Sequence, residues 1–291
     1  MGKYHIPVML QEVLEFLSPR EGGIYVDCTL GEGGHTKRIL EHGVARIIGI
    51  DEDYEMIERA RENLSEFVNK VIFVNDNFRN LDKILGHNNI KSIDGILYDL
   101  GTSSYHLETA SRGFSFLLNG PLDMRFNKRQ KVKASTLINS LAENDLVRLI
   151  WGYGEDRYAK RIAKGIVEGR ARRSIETTFQ LVDVINSSLP KDYKPNIHPA
   201  TRTFQALRIA VNNELEAIEV SLKKSFPFLK LGSRIVVISF HSLEDRIVKS
   251  TFLAFKERGQ IITKRPITPT QKEIAMNPRA RSAKLRCFER K

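Results

Sequence analysis

A chain of 291 residues, 41% hydrophobic and 28% charged, holds enough apolar material for one large core or a core domain carrying a smaller one, and general disorder is excluded. Its 46 Lys and Arg against 35 Asp and Glu leave a formal charge of +11, which draws polyanions, of which nucleic acid is the commonest large one. The two distant cysteines, Cys28 and Cys287, lack the spacing of a zinc site or a disulfide framework. No stretch approaches the ~18 apolar residues of a membrane span, and Ile6 stands where a myristoylation signal needs Ser or Thr, so a reducing, cytoplasmic setting without a membrane partner is expected.

In chain order, the β-branched runs IYVDCTL at 24–30, RIIGID at 46–51, KVIFVND at 70–76 and IDGILYDL at 93–100 alternate with helical patterns such as Met56, Ile57, Ala60 and Leu64. That alternation predicts right-handed βαβ units and a parallel sheet. From 107 to 204 the strand rhythm stops and two or three helices are expected; Ser140 with Glu143 forms a candidate capping box, and Ser174 a candidate cap for a helix through Ile185. Residues 204–226 read as one long amphipathic helix leading into the apolar strand RIVVISF at 234–240. QIITKR and AKLRCFER, inside a basic C-terminal region, read as an antiparallel pair closing the sheet edge. The expected architecture is α/β: a Rossmann-like sheet from 1–106 and 205–291, and a small helical insertion at 107–204 for substrate recognition.

The first strand runs into Asp27-Cys28-Thr29-Leu30-Gly31-Glu32-Gly33-Gly34-His35, a glycine-rich turn where strand gives way to helix. Ligands of open α/β sheets lie outside the carboxyl ends of the strands, so this loop, Asp51, Asp76 and Asp99 are expected to face one cleft. Asp51 sits twenty residues after Gly31, the offset at which a carboxylate accepts ribose hydroxyls. A dinucleotide site competes, but the full G-x-G-x-x-G needs glycine where Thr36 stands. Asp27 would repel a pyrophosphate and suit an ammonium, which favours S-adenosyl-L-methionine. Phe78 can pack on an adenine or belong to the core.

Longer motifs carry a resemblance: His5-Ile6-Pro7-Val8, DCTLGEGGHT, DLGTSS at 99–104, GPLDMRF at 120–126, HPATRTFQALRIAVNNEL at 198–215, ISFHSLEDRIVK at 238–249 and NPRARSAKLR at 277–286. Together they resemble the bacterial 16S ribosomal RNA cytosine-N4 methyltransferases across nearly the whole chain. The resemblance implies a class I methyltransferase sheet, with methyl transfer from S-adenosylmethionine to the exocyclic amine of a cytosine in the decoding region of small-subunit 16S rRNA. It further implies cofactor contacts from Gly33, Gly34, His35, Asp51, Phe78, Asp99 and His106; the last stands where glutamine is usual.

A cytosine amine is a poor nucleophile because its lone pair is delocalised, so hydrogen-bond acceptors must rehybridise it; Asp99, with the Leu100 or Gly101 carbonyl, is placed to do so. Asp123 and Arg125 after the Gly120-Pro121 turn, His198 and Arg202 opening a helix, and His241 at a strand end are candidate substrate contacts, each weighed against a cap or an ion pair. Tyr105, Phe114 or Phe116 could cover the base face or serve as core. Arg157, Lys160, Arg161 and Lys164 repeat on one helix face, a phosphate-tracking stripe or a solvated surface. A protein or small-molecule acceptor, a nucleic-acid-binding module and a homo-oligomer stay open.

Overall fold

The computed structural model describes residues 7–190, 192 and 197–291, so His5 and Ile6 of the first motif, with the myristoylation reading, lie outside the described residues. The chain divides into two compact units, Met1–Gly101 with Leu215–Lys291, and Thr102–Glu214. Among the described residues no helix is long and apolar enough to cross a membrane.

The first unit is built on seven strands: β1 (Ile24–Asp27), β2 (Arg46–Asp51), β3 (Val71–Asn75), β4 (Ile93–Asp99), β5 (Leu229–Ser239), β6 (Gly259–Ile261) and β7 (Lys284–Arg290). Their order is β3-β2-β1-β4-β5-β7-β6. The first five are parallel neighbours, while β7 runs antiparallel to both β5 and β6, as the alternating C-terminal segments predict. The central strands are apolar on both faces because helices cover both. Tyr25, Ile47, Leu97 and Val236 point into one buried cluster, and their sequence neighbours Val26, Ile48, Ile96 and Val237 into the other. Each such side chain contributes about 1.5–3 kcal/mol on burial. The strand order reverses at β1, which has β2 on one side and β4 on the other, so the ligand crevice of this topology lies where β1 and β4 end. This is the expected Rossmann-like sheet.

The second unit is helical, with a short helix Ser104–Glu108 and longer ones at Ala134–Ser140, Glu143–Gly154, Ala159–Arg172, Thr178–Ser188 and Thr201–Asn212 around its own apolar cluster. Helix Ala159–Arg172 shows the cause: Ala159, Ile162, Ala163 and Ile166 recur at helical spacing and are buried, leaving Lys160, Arg161 and Lys164 exposed. Helix Thr178–Ser188 crosses it at Gly165, where an added Cβ would stand 2.0 Å from the Ser188 hydroxyl oxygen.

Four expectations are corrected. The helix read over 204–226 is two helices, Thr201–Asn212 and Glu214–Ser225, broken at Asn213, whose φ of 50° is left-handed. The division accordingly falls at 102 and 214 rather than at 107 and 204: Phe204, Leu207 and Val211 of the first helix pack into the second unit's cluster. Ser140 closes the helix before the one it was expected to cap, its hydroxyl donating to the Thr136 carbonyl at 2.7 Å, and Glu143–Gly154 begins after Ala142 without a side-chain cap. Ser174 bonds Glu176; the cap of Thr178–Ser188 is Thr177, paired with Gln180.

Candidate active site

The loop after β1 is shaped by its own side chains. Asp27, 1% exposed, accepts from the Thr29 amide at 3.1 Å and from the Thr36 hydroxyl at 2.8 Å. Burial pushes its carboxyl up, against the nearby His35 ring and those two hydrogen bonds. Gly33 has φ of 80°, donates to the Leu30 carbonyl at 2.8 Å, and a Cβ there would meet Leu64 Cδ1 at 2.8 Å. Gly31, at φ of 52°, differs: its Cβ direction is open, with the nearest atom at 3.9 Å.

Asp51 at the end of β2 holds this loop from the side. One oxygen accepts from the Gly31 amide and the other from the Asp53 amide, each at 2.8 Å. Burial pushes its carboxyl up to about 7, past the lowering effect of those amides. Asp53 caps helix Tyr54–Asn63, while Arg59 and Asn63 of that helix bond Glu32, so the turn is tied on both flanks. After β3, Asp76 accepts from the Asn77 amide and from Asn80, and Phe78 presents its ring edge-on to Tyr98 at 5.9 Å, half-buried against the core cluster beneath.

At the end of β4 the Asp99 amide donates to the Thr29 hydroxyl at 2.7 Å, which joins the strand end to the β1 loop. His35 Nε2 stands 3.4 Å from Asp99 Oδ2. Both ring nitrogens of His35, which is 6% exposed, and Asp99 Oδ1 are buried without a hydrogen-bond partner. Buried polar atoms left unmade are costly, so three of them beside an open glycine point to a ligand that supplies the missing partners. Gly31, Gly33, Gly34, His35, Asp51, Phe78 and Asp99 thus all lie at the carboxyl ends of β1 to β4. Thr29 and Thr36 are the members missed in the sequence; a hydroxyl two or nine residues after a strand-end Asp gave no distinguishing signal.

His241, in the same unit, caps helix Ser242–Ala254: its Nδ1 accepts from the Glu244 amide at 3.4 Å, and its Nε2 lies 3.1 Å from Oε1 of the fully buried Glu244. Glu244 Oε2 returns to the Phe240 amide at 2.7 Å, completing a capping box.

The remaining candidates belong to the helical unit. His106 is 4% exposed, bonded through Nδ1 to the Ser103 hydroxyl at 2.9 Å and packed between Phe114 and Phe126. Asp123 and Arg125 form a two-pronged ion pair, with Nε to Oδ1 and Nη2 to Oδ2 both at 2.7 Å, and Arg125 Nη1 reaches the Lys128 and Gln130 carbonyls. Burial pushes the Asp123 carboxyl up, but the Arg125 guanidinium outweighs it and holds it below the usual range. Their turn is pinned by Asn212, 5% exposed, which donates to the Met124 carbonyl at 2.8 Å and accepts from the Phe126 amide at 2.9 Å. His198 stacks on Phe116 at 4.4 Å, and Arg202 donates to the Glu155 carbonyl. Asp123, Arg125 and His241 therefore have internal partners of the kind weighed against a substrate contact.

The model of the MraW methylase family matches residues 2–291. A protein of Geotalea uraniireducens (strain Rf4) called ribosomal RNA small subunit methyltransferase H is 48% identical over 307 residues, covering 99% of this chain and 98% of its own. One of the same name from Clostridium botulinum (strain Kyoto / Type A2) is 43% identical over 301 residues, covering 97% of each. Among solved structures, an rRNA methylase from Streptococcus thermophilus overlays with a TM-score of 0.48 at 11% identity over 99% of both chains. With a match that spans all but the first residue and relatives near half identical end to end, the chain belongs to the MraW methylase family.

Proposed function

We propose that this protein transfers a methyl group from S-adenosylmethionine to the N4 amine of a cytosine in the decoding region of 16S rRNA, acting in the cytoplasm on the small ribosomal subunit. The observation that carries the reading is the unpartnered Oδ1 of Asp99 at the end of β4, beside the glycine loop and Asp51. Family membership and the shared name of the relatives support the methyl-transfer class and the rRNA acceptor.

The residues fit the cofactor. Gly31, Gly33 and Gly34 let backbone approach it, Asp51 offers carboxylate lone pairs to ribose hydroxyls, Phe78 a ring edge for the adenine, and His35 and Asp99 polar atoms that lack partners. His106 joins this set on the strength of the motif alone. Bound S-adenosylmethionine supplies a methyl on a cationic sulfur, which leaves with the C–S electron pair as the N–C bond forms. Asp99 accepts a hydrogen of the cytosine amine, draws its lone pair out of the ring plane, and takes the proton that the methylated amine sheds. Such positioned base chemistry contributes roughly 10²–10⁴-fold.

Within the helical unit, the exposed Arg157, Lys160, Arg161 and Lys164 supply phosphate contacts, and His198, Arg202, Asp123 and Arg125 shape the RNA-facing turn. The experiment is transfer of labelled methyl to small subunits lacking the modification, followed by nucleoside analysis. Label in N4-methylcytidine, lost in Asp99→Ala while that variant still binds cofactor, is the expected result; label in no RNA nucleoside defeats the reading.

A further inference from the structure

We infer that His35 is a positioning residue for the transfer: it holds one oxygen of Asp99 so that the other faces the reacting amine. The inference rests on the reading of Asp99 given above and adds a residue to it.

The two oxygens of Asp99 are not equivalent. Oδ2 has the His35 ring at 3.4 Å, whereas Oδ1 is buried with nothing to accept from. A carboxylate on a strand end can rotate about its last bond, and an acceptor must be aligned with the amine hydrogen to act. A neutral imidazole carrying its proton on Nε2 donates to Oδ2 and stops that rotation; a distance near 3.4 Å is typical of a site that tightens when substrate arrives. The ring cannot easily turn away. It is 6% exposed, its residue follows Gly34, whose Cα is pressed against Pro7, and the neighbouring Thr36 is anchored to Asp27. Asp27, the other carboxyl whose charge reaches the ring, already accepts from Thr29 and Thr36, so Asp99 is the acceptor left for Nε2.

A histidine that merely touched the cofactor would behave differently. Its loss would raise the cofactor dissociation constant and leave the turnover of saturated enzyme unchanged, whereas loss of a group that orients Asp99 lowers kcat at unchanged affinity.

The test has two parts. In the first, protein labelled with 15N-histidine is observed by NMR without substrate. The His35 ring is expected to carry its proton on Nε2, and Asp99→Ala to abolish that preference; ring signals indifferent to Asp99→Ala overturn the inference whatever the acceptor. The second is a double-mutant cycle with methyl transfer and calorimetric binding of S-adenosylhomocysteine. His35→Ala is expected to lower kcat about 100-fold with affinity changed less than about threefold. His35→Gln, which keeps an N–H near the Nε2 position, should recover at least about tenfold of that loss, and His35→Ala with Asp99→Ala should be no slower than Asp99→Ala alone. Losses that multiply, or a weakened cofactor with unchanged kcat, overturn it. If Asp99→Ala itself transfers at the normal rate, the reading of Asp99 fails first; if only His35→Ala does, the role of Asp99 stands and that of His35 falls.

Discussion

Lowering the pH from about 8 to about 6 should weaken cofactor binding while making the ligand-free fold more stable, and Asp51 is the common cause. Its carboxyl is pushed up to about 7 from 3.8 by burial at the end of β2. A ribose hydroxyl is best accepted by the ionised form, which falls to roughly one molecule in ten at about pH 6, so the dissociation constant should rise up to about tenfold. Stability moves the other way. Between 3.8 and about 7 the folded chain holds a proton that the unfolded chain has released, so stability from this group is present at low pH and is lost as pH rises through the folded value. The slope is about 1.4 kcal/mol per pH unit and the full span at most about 4 kcal/mol. Other groups titrate too, so the comparison is with Asp51→Asn, which cannot ionise. Calorimetric titration with S-adenosylhomocysteine and urea unfolding across this range give both quantities. A dissociation constant that is flat in the wild type, or an equally steep stability slope in Asp51→Asn, would refute the assignment.

Three further outcomes are expected. Gly33→Ala places a methyl 2.8 Å from Leu64 Cδ1 at φ of 80°, costing about 2 kcal/mol by urea unfolding together with weaker cofactor binding. Asn212→Ala leaves the Phe126 amide and Met124 carbonyl without their partner, a loss of about 3 kcal/mol in the unfolding of the helical unit, with cofactor affinity unchanged. Lys160→Glu with Arg161→Glu should weaken rRNA binding and make log affinity against log salt shallower by about 1 to 2, with folding stability within about 0.5 kcal/mol of wild type, since both side chains are exposed.

The sheet was legible because its strands are short apolar runs bounded by turn residues, and period alone separates them from helices. IYVDCTL and IDGILYDL could be placed with their acidic ends together, so the cofactor loop, Asp51 and Asp99 followed from topology. What escaped was decided by neighbours distant in sequence or by a single dihedral. Asn213 looks like any helical residue in NNELEAIEV, yet its left-handed conformation splits the helix and moves the unit boundary. The Asp123–Arg125 pair was visible as a turn, but its closure depends on Asn212, too remote for spacing to show. His241 and Glu244 were seen as strand-end polar residues; only burial of the glutamate reveals a cap. Competing caps, Ser140 against none and Ser174 against Thr177, differ by little energy, so tertiary packing selects between them.

Because the segment Thr102–Glu214 interrupts the sheet between β4 and β5, synthesis on the ribosome delivers the molecule out of spatial order. Strands β1 to β4, with the glycine loop, Asp51 and Asp99, emerge first and leave β4 as a bare edge until β5 arrives. The whole helical segment must leave the exit tunnel in between, and an apolar edge kept waiting is open to wrong pairing. A nascent chain paused after residue 214 would thus carry every strand-end residue of the proposed cofactor site on an unfinished sheet, and a fast-folding helical insert shortens the time it spends so exposed.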